Sequence, residues 1–156
     1  MGIIDASTAP EKTGSVYPEP YASQIAGRSS LRLGEAAGLT QFGANLVTLD
    51  PGARSSLRHW HKAEDEFVMV TEGELVLVQD EGEYILRSGD CAAWQAGDRN
   101  GHCFLNRTNA PARFLVVGSR APHEVCTYSD VDMILEAKDG AVTFTYHDGT
   151  PWTGPR

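Results

Sequence analysis

From about Leu39 onward the chain alternates short apolar runs with turn residues. The runs are Phe42 to Leu49, Glu66 to Val70, Leu75 to Val78, Tyr84 to Leu86, Cys91 to Trp94, Cys103 to Leu105, Phe114 to Val117 and Val142 to Tyr146. Between them lie Asp50-Pro51-Gly52, Glu72-Gly73, Asp80-Glu81-Gly82, Ser88-Gly89-Asp90, Ala96-Gly97-Asp98, Asn109-Ala110-Pro111 and Lys138-Asp139-Gly140. Runs this short, rich in Val, Leu and aromatic residues, predict strands. Their spacing predicts an all-β sandwich or barrel. No segment carries a clear amphipathic helix, and Val131 to Ala137 offers at most a short turn. Residues 1–30 are different. They are rich in Pro, Gly, Ser and Thr, include Tyr17-Pro18-Glu19-Pro20-Tyr21, and show no helical period. This composition predicts an extended arm docked on the barrel or on a neighbouring subunit. The domain reading is therefore an arm over 1–30 and a single β-barrel domain over 31–156. The histidine-rich segment occurs once, so one barrel is expected and not two.

Whole-chain numbers narrow the partners. A chain of 156 residues holds one domain with a sizeable core. At 41% hydrophobic and 22% charged, its composition is that of an ordinary globular protein. Acidic residues number 21 against 13 basic ones, a net charge of −8. That balance speaks against nucleic acid and anionic membranes, which attract a positive field, while leaving room for a positively charged pocket. The opening residues have no basic and apolar leader pattern, and no stretch approaches the ~18 consecutive apolar residues of a membrane span. Cys91, Cys103 and Cys126 are odd in number and lack C-x-x-C spacing, which fits reduced thiols in a cytoplasmic protein.

The candidate chemistry sits in two stretches. In the first, Arg58-His59-Trp60-His61-Lys62-Ala63-Glu64-Asp65-Glu66-Phe67, alternation along a strand sends His59 and His61 to one face and Trp60 to the other. Two imidazoles so placed can chelate one ion, and equally can be a solvated polar pair. Glu66, after a polar connection expected to reverse the chain, opens the next strand and could face the pair. In the second stretch, Gly89 to Asn106, a turn, a strand and a second turn lead to His102, with Phe104 and Asn106 on the same face.

Together these stretches resemble the two motifs of the cupin superfamily. The first family motif is Gly, then His-x-His, three or four residues, Glu, six residues and Gly; His59, His61, Glu66 and Gly73 match it. The interval from Gly52 to His59 is one residue longer than usual. In the second motif Gly89, Gly97, His102 and Asn106 match, while Gln95 replaces the usual proline and two extra residues precede His102. Both departures fall in turns. Leu39-Thr40-Gln41-Phe42-Gly43, Val117-Gly118-Ser119-Arg120 and Tyr128-Ser129-Asp130-Val131-Asp132-Met133 are similar to a bacterial group of small stand-alone cupins, most without an assigned activity.

The resemblance implies a double-stranded β-helix (cupin jelly-roll) barrel, pairing as a homodimer. It implies one divalent transition-metal ion per chain on His59, His61, Glu66 and His102, with Zn, Fe, Mn and Ni all suited to that borderline donor set. Cys103, next to His102 on a strand, points away from the set. Phe104 and Asn106 are candidate pocket residues. Glu64, Tyr84 and Asn106 are candidate acids or bases; Arg54, Arg58 and Arg99 are candidate clamps for an acidic ligand, although solvation suits each better. His123 and His147 lack a chelating partner. Two functions stay open: a metal-dependent enzyme acting on a small polar metabolite (sugar, acid or aromatic diol) by isomerase, dioxygenase or lyase chemistry, or a non-catalytic cupin that senses or binds a small molecule or metal.

Overall fold

Strands dominate the computed structural model, which describes residues 2–156. In chain order they are β1 (Glu11–Thr13), β2 (Arg28–Leu31), β3 (Phe42–Leu49), β4 (His59–His61), β5 (Glu66–Glu72), β6 (Glu74–Gln79), β7 (Gly82–Arg87), β8 (Cys91–Trp94), β9 (Cys103–Leu105), β10 (Ala112–Ser119), β11 (His123–Tyr128), β12 (Ile134–Lys138) and β13 (Ala141–Thr145). A single helical turn, α1 (Leu33–Ala36), links β2 to β3, and 3-10 turns cover Ala6–Thr8 and Ala22–Ile25.

One antiparallel layer runs β1-β2-β3-β10-β5-β8. Facing it are two smaller sheets, β13-β12-β11-β4 and β7-β6-β9. These two meet where His59 and His102 form an isolated bridge: His59 N–H donates to His102 O at 3.2 Å, and His102 N–H to His59 O at 2.9 Å. The core between the layers comes from alternate positions on each strand. Val47 and Leu49 of β3, Val68 and Val70 of β5, Leu75 and Leu77 of β6, and Trp94, Phe104 and Phe114 form one cluster. Phe67, out of phase with Val68, is exposed. A second cluster gathers Tyr21, Leu57, Cys126, Tyr128 and Met133, with Tyr17 and Trp152 packed against it.

Each apolar run read from the sequence overlaps a strand, and the all-β expectation holds. Three local expectations change. The stretch 131–137 contributes strand β12, hydrogen-bonded between β11 and β13, where at most a short turn was expected. Strand β11 has no counterpart among the predicted runs, because one of its core-facing positions is a carboxylate: Glu124, Cys126 and Tyr128 are all buried. The connection 62–65 makes no hairpin either. β4 pairs with β11 while β5 pairs with β10 and β8, so this link carries the chain from one layer to the other. Within the segment expected as an arm, β1 and β2 extend the large layer, and Tyr17 sets its ring edge-on to Tyr128 at 5.3 Å. Met1 lies outside the described residues.

The β5–β6 crossing between layers depends on Gly73, which sits at φ 78°. A Cβ there would stand 3.0 Å from Ala112 Cβ and 3.3 Å from Pro111 O. Gly73→Ala combines left-handed strain with overpacking, expected to cost about 2–4 kcal/mol. Thermal unfolding should show a midpoint lowered by roughly 5–15 °C. A midpoint equal to that of the parent chain would contradict the close approach.

Candidate metal centre

Both sheets of the smaller layer contribute to a cluster at one end of the core. The loop after β3 runs alongside β9, with Ser55 N–H donating to Phe104 O at 2.9 Å and Phe104 N–H to Ser55 Oγ at 2.9 Å. This fastening delivers His59 directly opposite His102. On the other side β4 pairs with β11, setting His61 opposite Cys126 and His59 opposite Tyr128. Glu66 arrives from the facing layer at the start of β5. Its Oε2 lies 3.3 Å from His61 Nε2 and 3.2 Å from His102 Nε2. The His59 ring centroid is 5.0 Å from that of His61 and 5.4 Å from that of His102. The four residues singled out by the motifs are thus brought together, as the inter-layer crossing at 62–65 requires.

The imidazoles are oriented by groups outside the cluster. His59 Nδ1 is 2.8 Å from Leu57 O and His102 Nδ1 is 3.2 Å from Asn100 O. A proton donated to each carbonyl leaves the Nε2 lone pair turned inward, the tautomer a metal ligand needs. His102 also stacks on Trp94, centroids 3.5 Å apart and planes within 9°. His61 Nδ1 is buried without a hydrogen-bond partner and lies 3.7 Å from Glu124 Oε1. Glu124 is itself held by the backbone N–H groups of Lys62 (2.7 Å) and Ala63 (2.9 Å).

Charge follows from this arrangement. Burial, and then the neighbouring His61, depress His59 to about 4, so it stays a neutral donor. Burial opposes charge on His61 too, but Glu124 and Glu66 together outweigh it and push His61 up to about 10. An ion held there would displace that proton. Burial likewise disfavours a charged Glu66, yet His102 and His61 hold its carboxyl well below the usual range. Burial raises Glu64, offset in part by the Ala121 N–H that its Oε1 accepts.

Among the described residues, donor atoms close enough to hold one ion come in three groups: His59, Glu66 and His102; His61, Glu64 and Glu124; and His59, His61 and Cys126. The nitrogen and oxygen donors, the inward lone pairs and the orphaned His61 Nδ1 suit a divalent metal ion. Glu124 and Cys126 were missed in the sequence. Only the alternation of β11 could have revealed them, and that alternation is masked by the carboxylate itself.

A cavity of about 390 Å³ opens onto the cluster, lined among others by His59, His61, Glu64, Glu66, His102, Phe104 and Glu124. Phe104 serves both wall and core. Asn106, expected as a pocket residue, is outside this lining and fully buried, its amide donating to Leu49 O and Ala110 O at 2.8 Å each. Cys103 is also outside it, as expected. Tyr84 is exposed and away from the cavity, and Arg54, Arg58 and Arg99 do not line it either. Arg58 instead bridges Asp130, at 2.7 Å, and Asp80, while Arg99 lies over Trp60. His123 and His147 stand beside Glu136 and Asp132 at the surface. No helix among the described residues is long and apolar enough to cross a membrane.

The model of the cupin domain family matches residues 45–118, which span both histidine stretches. A sugar phosphate isomerase of the cupin superfamily from Silicibacter pomeroyi DSS-3 is 57% identical, over 97% of this chain and 96% of that one, with a TM-score of 0.94. A candidate sugar phosphate isomerase from Acidithiobacillus ferrooxidans ATCC 23270 shares the fold at 23% identity, over 94% and 90% of the two chains, TM-score 0.79. The polyketide cyclase of Streptomyces resistomycificus shares it at 22% identity, over 76% and 79%, TM-score 0.61. A search of curated proteins finds no significant match. The chain belongs to the cupin superfamily, and its barrel is the cupin jelly roll.

Proposed function

We propose that this cupin is a metal-dependent isomerase of a small hydroxy-carbonyl metabolite of the sugar class. The observation that carries the reading is the convergence of His59, His61, Glu66 and His102 at the wall of an open cavity, with the Nδ1 atoms of His59 and His102 turned outward to backbone carbonyls. The 57% identical relative, a sugar phosphate isomerase, supports the reaction class.

One divalent ion, of the Fe, Mn, Ni or Zn type, would sit on these four side chains and polarise a carbonyl oxygen and its neighbouring hydroxyl. The chain's own residues do the rest. Glu64 lines the cavity, and its Oε1 is anchored by Ala121 N–H at 2.8 Å, leaving Oε2 to move a proton between adjacent substrate carbons. Of the three acid–base candidates from the sequence, it alone lines the cavity. Glu124 holds His61 in place from behind, and Trp94 fixes the plane of His102. Phe104 and Phe114 keep one wall apolar.

The test begins with protein purified without a histidine tag and analysed for bound metals. About one ion per chain is expected, followed by interconversion of a sugar or sugar phosphate, or by wash-in of solvent deuterium beside its carbonyl. Failure to hold any of Fe, Mn, Ni or Zn after loading would overturn the site. A metal-loaded protein that binds one compound tightly, yet neither converts it nor exchanges its proton, would be a binding cupin instead.

A further inference from the structure

Although the chain carries a net charge of −8, three of its cations line the cavity: Lys12, Arg28 and Arg32. All come from the N-terminal segment, on or beside β1 and β2. Lys12 faces Ser30 across the β1–β2 pair, and two-residue alternation puts Arg28 and Ser30 on one face. Ser30 stands opposite Val47, itself a cavity-lining core residue. The protein neutralises the charged heads only in part, through Glu66 acting on Arg28 and Glu35 beside Arg32. The charges that act on Lys12 are those of Arg32 and Arg28, both repulsive. Arg28 donates from its NH1 to Gly14 O at 3.2 Å, but its Nε is buried with no partner among the described residues. Among the described residues Arg32 pairs with Glu35 alone, at 3.5 Å on the exposed side. Three like charges half-withdrawn from water destabilise the free protein unless an anion joins them. Hydroxyls of Ser15, Ser30, Ser55 and Ser56 line the same cavity and supply further donors.

The position of this group relative to the histidines sets the shape of the ligand. β2 is separated from β5, which carries Glu66, by β3 and β10. Three strand spacings are roughly 14 Å along the sheet, and less through the interior of a curved barrel. The charge of Glu66 reaches Arg28 across that gap. We propose that Lys12, Arg28 and Arg32 seat a terminal phosphate of the substrate on the β1–β2 side of the cavity, with Arg32 nearest the cluster, since it also lines a second cavity together with His61, Glu64 and Glu66. The inference rests on the reading of this cavity as the substrate site, and narrows its substrate to a phosphomonoester. A planar guanidinium offers the dianion paired N–H donors, and the ammonium of Lys12 adds a point charge.

Inorganic phosphate is the probe. It is titrated by calorimetry into the protein and into Lys12→Gln, Arg28→Gln, Arg32→Gln and His102→Ala variants, each checked for folding by circular dichroism. The parent protein and His102→Ala should bind one phosphate with similar affinity. Each cation variant should weaken it by about tenfold to a hundredfold, the loss expected for a hydrogen bond to a charged group. Arg28 is the most buried of the three, so Lys12→Gln and Arg32→Gln decide the matter if Arg28→Gln does not fold. Phosphate that fails to bind the parent protein at about 10 mM overturns the proposal. So does binding lost in His102→Ala but retained in the cation variants, which would put the anion on the metal and leave the metal centre standing. Phosphate binding on the cations in a protein that takes up no metal would do the reverse: the seat would stand and the isomerase reading would fall.

Discussion

His102→Ala is expected to empty the metal centre. His102 Nε2 is one of two imidazole nitrogens within 3.3 Å of Glu66 Oε2, and its backbone bridge to His59 is the seam between the two smaller sheets. Removing the ring deletes a donor and a partner of the half-buried Glu66 carboxylate, and leaves the Trp94 face without its stacked neighbour. Losing an outer-shell partner typically costs roughly 10–100-fold in metal affinity, so the loss of an inner donor should exceed that range. Glu124→Ala provides the internal scale. It takes away only the carboxylate behind His61 and should fall within that range. Elemental analysis after identical loading and dialysis reads both: about one ion per chain in the parent, a trace in His102→Ala, and a partial content in Glu124→Ala. Equal metal in His102→Ala and the parent would mean that the ion sits elsewhere, for example among His61, Glu64 and Glu124.

The contrast between His102 and Glu124 also shows which parts of the site a sequence can display. His59, His61, Glu66 and His102 lie within two short stretches, so motif spacing and strand alternation suffice to set them side by side. Glu124 and Cys126 reach the cluster from β11, far along the chain, through a pairing between β4 and β11 that no local pattern encodes. The same holds for Lys12, Arg28 and Arg32. Their segment has turn-rich composition, and its two short strands, Glu11–Thr13 and Arg28–Leu31, show no apolar alternation because their cavity-facing positions are charged or hydroxylated. Hydrophobic patterning finds strands that face an apolar core. It is blind where a strand faces a polar cavity, and those strands carry much of what surrounds the candidate metal site. Only the segment 131–137 escaped for a different reason. β12 runs between β11 and β13, with its residues Ile134 to Ala137 half-buried on both faces, which leaves no clean period of two to read.

Asn106→Ala is expected to damage the fold far more than the metal centre. On a strand in phase with His102 the side chain was expected in the pocket, but β9 ends at Leu105 and the amide turns into the adjoining loop. There every hydrogen-bonding direction is used. Nδ2 donates to Leu49 O and Ala110 O at 2.8 Å each, and Oδ1 accepts from Thr108 N–H at 3.0 Å and from its hydroxyl at 2.8 Å. The main chain of Asn106 is tied as well, accepting from Gly52 N–H at 2.8 Å and donating to Ala53 O at 2.9 Å. One residue therefore joins the end of β3, the loop leading to His59 and the turn before β10. Alanine keeps the main-chain pair but takes the Nδ2 donor away from the buried Leu49 O, while Ala110 O keeps the Thr108 hydroxyl and Thr108 itself is half-buried. Leaving one such buried group unsatisfied costs about 1–3 kcal/mol, and with the half-buried bonds to Thr108 lost as well the sum should come to about 2–4 kcal/mol. Chemical denaturation should show the midpoint moved to lower denaturant with an unchanged slope, since the surface exposed on unfolding stays the same. Folded Asn106→Ala should still take up about one ion per chain, because none of its contacts touches His59, His61, Glu66 or His102. A variant as stable as the parent that binds its small-molecule ligand poorly would restore Asn106 to the pocket and remove it from the structural role argued here.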